Sequence, residues 1–280
     1  MKKNERLIYT NANGDSLEIS WYSPYTPTAF ADELDNDVTT SKTVQQDGEN
    51  YISGTLEARA LSIDGFFLLD ETNTLERRLK KVFNPKFTGK LVYTNGEEQR
   101  YLTVSVDHVP QITNKPRRGE FSIDLTAHDP YWREEERTEN IAILQAMLHF
   151  PVVIPLDTGI VFGARRSTLE TPVTNVGDAE SGFRVVFRAL GSVKNPQIIN
   201  KETGERIRVI YNMQQGDVIE VVNEPLVKKV LVNGVKAFKH LDRQATTFFP
   251  LRVGDNTIVY QADENLVNLD VVIFYSPLYL

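Results

Sequence analysis

Residues able to make or break bonds are few and scattered in this sequence. The 280-residue chain has no cysteine, which removes thiol catalysis, disulfide scaffolds, Cys-ligated zinc and iron–sulfur clusters. Its four histidines are His108, His128, His149 and His240. No two stand at the His-Glu-x-x-His spacing that turns both rings to one side of a zinc-binding helix. No phosphate-cradling G-x-x-x-x-G-K-[ST], dinucleotide G-x-G-x-x-G or G-x-S-x-G nucleophile elbow occurs. The densest carboxylate run is Asp32-Glu33-Leu34-Asp35-Asn36-Asp37. Clustered oxygens suit a hard cation, but this run lacks the glycine and the closing glutamate of an EF-hand and reads as a solvated acidic loop. Two acids facing a cleft, as in glycoside hydrolysis, need no proximity in sequence, and no pattern singles out a pair. No catalytic, metal-ligating or cofactor-binding residue is therefore assigned, and no cofactor is expected.

The elements that would hold these side chains are mostly strands. Composition is that of a globular chain, 41% hydrophobic and 25% charged. A chain this long buries about three quarters of its unfolded surface, enough for a core without staples. No apolar run reaches the ~18 residues of a membrane span. The start Met1-Lys2-Lys3-Asn4-Glu5-Arg6 is basic but has no apolar segment behind it, so no signal peptide and no membrane insertion are expected.

Asn-Gly or Asp-Gly falls at positions 13, 47, 64, 95 and 233, and such pairs accept the positive φ of tight hairpin turns. Strand-like runs flank several of them, and residues 121–126 alternate as a half-buried strand. One helix stands out. Leu75, Leu79, Val82 and Phe83 fall at i, i+4, i+7 and i+8, on one face, and Asn84-Pro85 stops it. Arg77, Arg78, Lys80 and Lys81 cover its other side; they could grip phosphate, but such a cluster is ordinarily the solvated face of an amphipathic helix.

The apolar stretch 141–148 suits either a helix or a strand. Beyond it strands are expected at 183–189, 197–200, 207–211, 217–222, 227–232, 246–251, 256–260 and 268–275, a spacing that indicates an antiparallel sandwich or barrel. Residues 1–151 carry 17 basic and 24 acidic side chains, and residues 152–280 carry 14 of each. The whole net charge of −7 thus lies in the first half, which supports two parts in different surroundings. The expected division is a first domain at 1–140, a linker at 141–165 and a second domain at 166–280.

The run Leu125-Thr126-Ala127-His128-Asp129-Pro130-Tyr131-Trp132 resembles the close of the N-terminal domain in the distal tail (Dit) proteins of long-tailed phages of Gram-positive bacteria. Asp129, Pro130, Tyr131 and Trp132 carry that likeness. Further fragments keep the family's order: Asn175-Val176-Gly177-Asp178, Asn195-Pro196-Gln197, Thr203-Gly204-Glu205, Gly216-Asp217-Val218, Val232-Asn233-Gly234, Phe248-Phe249-Pro250-Leu251, Gly254-Asp255-Asn256 and the final Phe274-Tyr275-Ser276-Pro277-Leu278-Tyr279.

The resemblance implies an all-β-dominated chain with one helix. Its N-terminal domain would be a ring-forming β-sandwich with a long hairpin arm embracing the next subunit, and its C-terminal domain a galectin-like antiparallel β-sandwich. It implies a structural hub and no enzyme. Six copies would form a ring at the distal end of the virion tail, of a phage or a prophage-derived particle, assembled in the host cytoplasm. The ring would join the tail tube protein to the tail-associated hub protein and carry baseplate or receptor-binding proteins. At this length there is no room for an extra carbohydrate-binding insertion.

Three features of the residues meet that expectation. The helix at 74–83 would pack Leu75, Leu79, Val82 and Phe83 on a sheet. The stretch 38–61, turning at Asp47-Gly48, would be the arm; an isolated two-stranded hairpin is marginal in water and needs a partner surface. The acidic first half suits a bore through which DNA, with one charge per ~1.7 Å, passes without being held; Asp32, Glu33, Asp35 and Asp37 are the lumen candidates. The alternative is a lectin-like adhesion protein that contacts carbohydrate of the host wall. Both tryptophans, Trp21 and Trp132, lie in the first half, so the second half would have to use Tyr and Phe as its sugar platform.

Overall fold

Alternation of apolar and polar residues builds nearly every element of the computed structural model, which describes residues 1–45, 47–69, 73–96, 98–140, 143–145, 164–166, 170–225 and 227–280. Two compact units result, Met1–Glu134 with Leu280, and Glu135–Tyr279.

The first unit contains β1 (Glu5–Asn11), β2 (Ser16–Ser20), β3 (Thr26–Glu33), β4 (Asn36–Ser41), β5 (Asn50–Leu56), β6 (Arg59–Leu68), α1 (Thr74–Val82), β7 (Thr88–Asn95), β8 (Glu98–Val106), β9 (Gln111–Lys115), β10 (Arg118–Ala127) and β11 (Trp132–Arg133). Its main sheet runs β2-β1-β7-β8-β10-β6-β3, with β9 added on β10. The two ends of that order meet at a parallel bridge between Ile19 and Tyr25, so the sheet closes on itself around Leu7, Tyr9, Leu17, Ile63, Leu91 and Ile123.

Two glycines are part of this closure. Gly65 pairs with Phe121 and Gly119 with Phe67 across β6 and β10. A Cβ at either would meet the partner ring, at 2.4 Å from Phe121 and 2.6 Å from Phe67. Each ring lies over a bare backbone and fills the place of the missing side chain.

Helix α1 follows Asn73, whose φ is 50°. Glu76 in its first turn and Lys80 and Lys81 in its last complement the helix dipole. Leu79, Val82 and the capping Phe83 are buried and Leu75 is half-buried. The Phe83 ring stacks on Tyr9 at 4.4 Å. The basic side is solvated: Lys80 pairs with Glu76 at 2.6 Å and Lys81 with Asp15 at 2.7 Å.

The second unit contains β12 (Arg137–Asn140), β13 (Ile143–Gln145), β14 (Ala164–Arg166), β15 (Glu170–Asn175), β16 (Phe183–Ala189), β17 (Val193–Lys194), β18 (Gln197–Asn200), β19 (Arg206–Arg208), β20 (Asn212–Met213), β21 (Val218–Glu224), β22 (Val227–Val232), β23 (Val235–Lys236), β24 (Gly254–Gln261), β25 (Leu269–Tyr275) and β26 (Leu278–Tyr279). Sheets β12-β25-β16-β21-β22-β23 and β15-β24-β18-β19 enclose Phe183, Phe187, Ile198, Ile219, Ile258 and Ile273. The expected domain edge at 140 falls inside this unit, because Arg137–Asn140 pairs with β25. Of the expected linker, 143–145 and 164–166 form a short antiparallel ladder; the rest of the stretch 141–148, and His149, lie outside the described residues.

The strand expected at 246–251 is not one. Only Leu251 makes a bridge, to Ser181. Buried asparagines take over the backbone polar groups that a ladder would have satisfied. Asn223 Nδ2 donates to the Phe249 carbonyl at 2.6 Å, Asn175 Nδ2 to the Leu251 carbonyl at 3.1 Å, and Asn256 Oδ1 accepts from the Arg252 amide at 2.9 Å.

Candidate assembly interface

Strands β3 and β6 pair from Thr26↔Phe66 to Glu33↔Ala60, and β4 and β5 pair from Asn36↔Leu56 to Ser41↔Asn50. Between them the Glu57 amide donates to the Asp35 carbonyl at 2.9 Å. Residues 26–68 are therefore one long hairpin. Its lower half is built into the closed sheet. Its upper half, the arm, pairs with nothing but itself among the described residues.

Every residue of β4 is exposed, and so is every residue of β5 except Leu56. The arm does not fold back on its own unit. Val44 is 89% and Tyr51 67% exposed, and Val38 and Ile52 are exposed as well. Four apolar side chains on a hairpin with no cover form a surface that gains by burial, about 25 cal/mol for each Å² taken from water. Gly48 turns the tip with φ 80°, and Thr40 donates to Glu49 across the ladder at 2.6 Å.

The neck of the arm is held by a polar cluster that local spacing does not reveal. Arg59 is 3% exposed. Its Nη1 donates to Asp32 Oδ1 at 2.6 Å and its Nε to the Pro130 carbonyl at 2.6 Å. Trp132 Nε1 donates to Asp32 Oδ2 at 2.9 Å. The Asp-Pro-Tyr-Trp run thus closes on the root of the hairpin. Asp129 Oδ2 accepts from Arg133 Nη2 at 2.7 Å, and Asp129 Oδ1 from the Tyr131 amide at 3.4 Å. Phe30 of β3, Tyr93 of β7 and Trp132 follow one another at centroid distances of 5.9 and 6.0 Å. Burial, with Glu5 beside it, pushes the Tyr93 phenol above its ordinary pKa.

The four acidic candidates do not form one loop. Asp32 and Glu33 end β3, Asp35 lies in the step that follows, and Asp37 lies on β4. Glu33, Asp35 and Asp37 are exposed at the neck. Asp32 is a paired carboxylate: Arg59 neutralises it and Trp132 occupies its second oxygen. Arg59 is the residue that sequence reasoning missed. It stands at an inward position of β6, in register with Leu61, Ile63, Gly65 and Phe67, and an inward arginine calls for a carboxylate partner. The described histidines have local partners: His108 lies 3.1 Å from Asp124, His128 3.3 Å from Ser105, and His240 3.2 Å from the Ile210 carbonyl.

Two family models match the chain. The phage tail protein RIFT-related domain matches residues 12–127, and the siphovirus-type tail component C-terminal domain matches residues 176–279. None of the curated proteins matches it in sequence. Among solved structures, the crystal structure of SPP1 Dit, described as a paradigm of the hub adsorption apparatus in Gram-positive infecting phages, superimposes with a TM-score of 0.72 at 14% identity, over 98% of this chain and 99% of that one. The phage p2 baseplate in its activated conformation matches with strontium at a TM-score of 0.55 and with calcium at 0.54, each at 10% identity and over 97% of both chains. At these identities the likeness to solved structures is one of fold.

Proposed function

The chain belongs to the siphophage distal tail (Dit) protein family, and from that premise we propose that it is a ring-forming hub whose copies are joined by the β4–β5 arm. A hub or baseplate protein of the adsorption apparatus is what the family supports. The finer reading is a homohexameric ring at the distal end of the tail, with the tail tube protein on one side and the tail-associated hub protein on the other, and baseplate or receptor-binding proteins at its edge. In this reading the chain does mechanical work and no catalysis.

One observation carries the proposal: a hairpin rooted in a closed sheet presents four apolar side chains and two free strand edges to solvent. A single chain has no use for such an arm, whereas a neighbour supplies the surface it lacks. The bore would be acidic, with Glu33, Asp35 and Asp37 among the carboxylates that keep passing DNA from binding.

The test is to replace residues 38–54 by an Asn-Gly turn. Light scattering and negative-stain images of the wild type, with its tail partners where the ring is weak, should give a ring-sized oligomer. The shortened chain should stay monomeric with an unchanged melting temperature. Rings that persist without the arm would remove the clamp. A wild-type chain that stays monomeric beside its tail partners would remove the ring.

A further inference from the structure

We propose that the first unit carries a binding site for a neutral pyranose sugar, in the groove between the start of the chain and the loop that joins β2 to β3; this site does not depend on the ring reading above. The floor of the groove is a row of outward side chains. Ser20 of β2, Arg6 of β1 and Thr94 of β7 stand side by side in the ladder and alternate with the buried Leu7 and Ile19. Lys3, Glu18 and Tyr22 rise around them, and the groove measures about 290 Å³, the size of the smallest ligand clefts.

Two features ask for an occupant. The Thr94 side chain lines the groove and is only 8% exposed, yet its hydroxyl has no hydrogen-bond partner among the described residues. A buried hydroxyl in that state is destabilising, and an oxygen seated above it would complete its bonding. Tyr22 is the second. It is 84% exposed, while its amide is tied to Ser20 Oγ at 3.3 Å. The loop is thus fixed and the ring is offered to whatever enters. Trp21 beside it donates from Nε1 to the Met1 carbonyl at 3.1 Å, which holds the start of the chain along the groove.

Charge selects the class of ligand. Lys3, Arg6, Glu5 and Glu18 all line the groove, so its charges cancel and neither a phosphate nor a metal ion is drawn in. A sugar hydroxyl donates to a carboxylate and accepts from a cation at once, and this lining provides both. Glu18 accepts from Ser20 through Oε1 at 2.8 Å and has Oε2 to offer; Lys3 and Arg6 supply donors. The C–H face of a pyranose packs on the Tyr22 ring, whose body is apolar and whose tip is polar. A wholly apolar ligand would leave the floor hydroxyl unpaired.

Saturation-transfer NMR of the full chain tests the site, with methyl glucoside, methyl galactoside and N-acetylglucosamine as probes and glycerol as a hydroxylated control without a ring. At least one sugar should receive transfer, and glycerol none. Tyr22→Ala removes an exposed ring and should weaken binding about tenfold at an unchanged melting temperature. Thr94→Val keeps the shape and removes the unpaired hydroxyl. It should weaken binding about tenfold while the melting temperature stays equal or rises. A threonine that served packing alone would not separate those two readouts. No transfer to any of the sugars, or binding that survives Tyr22→Ala, would overturn the site. Loss of oligomers by Tyr22→Ala in light scattering would also overturn it, because the face would then be a contact between copies. Oligomers should be unchanged in both variants, so the ring reading stands or falls separately.

Discussion

At the residue scale, the Asp32–Arg59–Trp132 cluster explains why an acidic run and a distant Asp-Pro-Tyr-Trp ending belong together. Arg59 is buried, while the Asp32 side chain keeps 28% of its exposure. Removing one partner of a buried pair costs about 3–5 kcal/mol, and the partial solvation of Asp32 points to the lower end. Asp32→Ala should therefore lower stability by about 3 kcal/mol in denaturant titration. Trp132→Phe removes the N–H together with part of the buried indole ring, so about 2 kcal/mol is expected. If the two variants were equally mild, the cluster would not be an anchor.

A second residue-scale test concerns acid. Asp217 accepts hydrogen bonds from the Gln214 amide at 2.8 Å and from Asn233 Nδ2 at 2.9 Å, and these hold its carboxyl below the ordinary 3.8. A depressed folded value means stability that is fully present above 3.8 and is lost as pH falls through the lower, folded value. The melting-temperature gap between wild type and Asp217→Asn should shrink as pH drops below 3.8; a gap that widens there contradicts the assignment.

At the scale of elements, local chemistry was readable wherever the period was local. Leu79, Val82 and Phe83 mark the helix because their spacing is helical, and Asp47-Gly48 marks the arm's turn because few other pairs accept it. Expected strands 183–189 and 227–232 match β16 and β22 to the residue. What sequence could not give was long-range pairing. Asp32 meets Arg59 across 27 positions and Trp132 across 100, and no window contains both ends. The Phe248-Phe249-Pro250-Leu251 run looks like a strand by composition, yet the Phe249 carbonyl takes its hydrogen bond from the Asn223 side chain and the Leu251 carbonyl takes one from Asn175, both far off in sequence. The edge of the second unit depends on pairing in the same way: Arg137–Asn140 is polar, and only its partner β25 makes it part of that unit. The Gly–Phe pairs are equally invisible locally and equally testable. Gly119→Ala puts a methyl 2.6 Å from the Phe67 ring, and the overpacking should cost about 1–3 kcal/mol. A neutral result in thermal unfolding would mean that the ring moves freely.

At the scale of the whole molecule, charge is an assembly property. If opposite charge on a neighbouring copy helps to hold the acidic arm, assembly should weaken as salt rises, because the Debye length shortens from about 10 Å at 0.1 M to about 3 Å at 1 M. Sedimentation across that range should show oligomers weakening steadily; insensitivity to salt would place the contact on apolar surface alone.

The uncovered hairpin has one more effect. Between Arg6 and Arg59 the only lysine or arginine is Lys42, and it sits just past the end of β4, exposed. Trypsin meeting a free subunit would find one accessible bond in that whole stretch and cut there, severing the clamp while leaving the barrel beneath it whole. Once a neighbour lies over the hairpin, the same bond is shielded. Under the proposed clamp, the rate of cleavage after Lys42 in a mixed population should report the fraction of subunits not yet assembled.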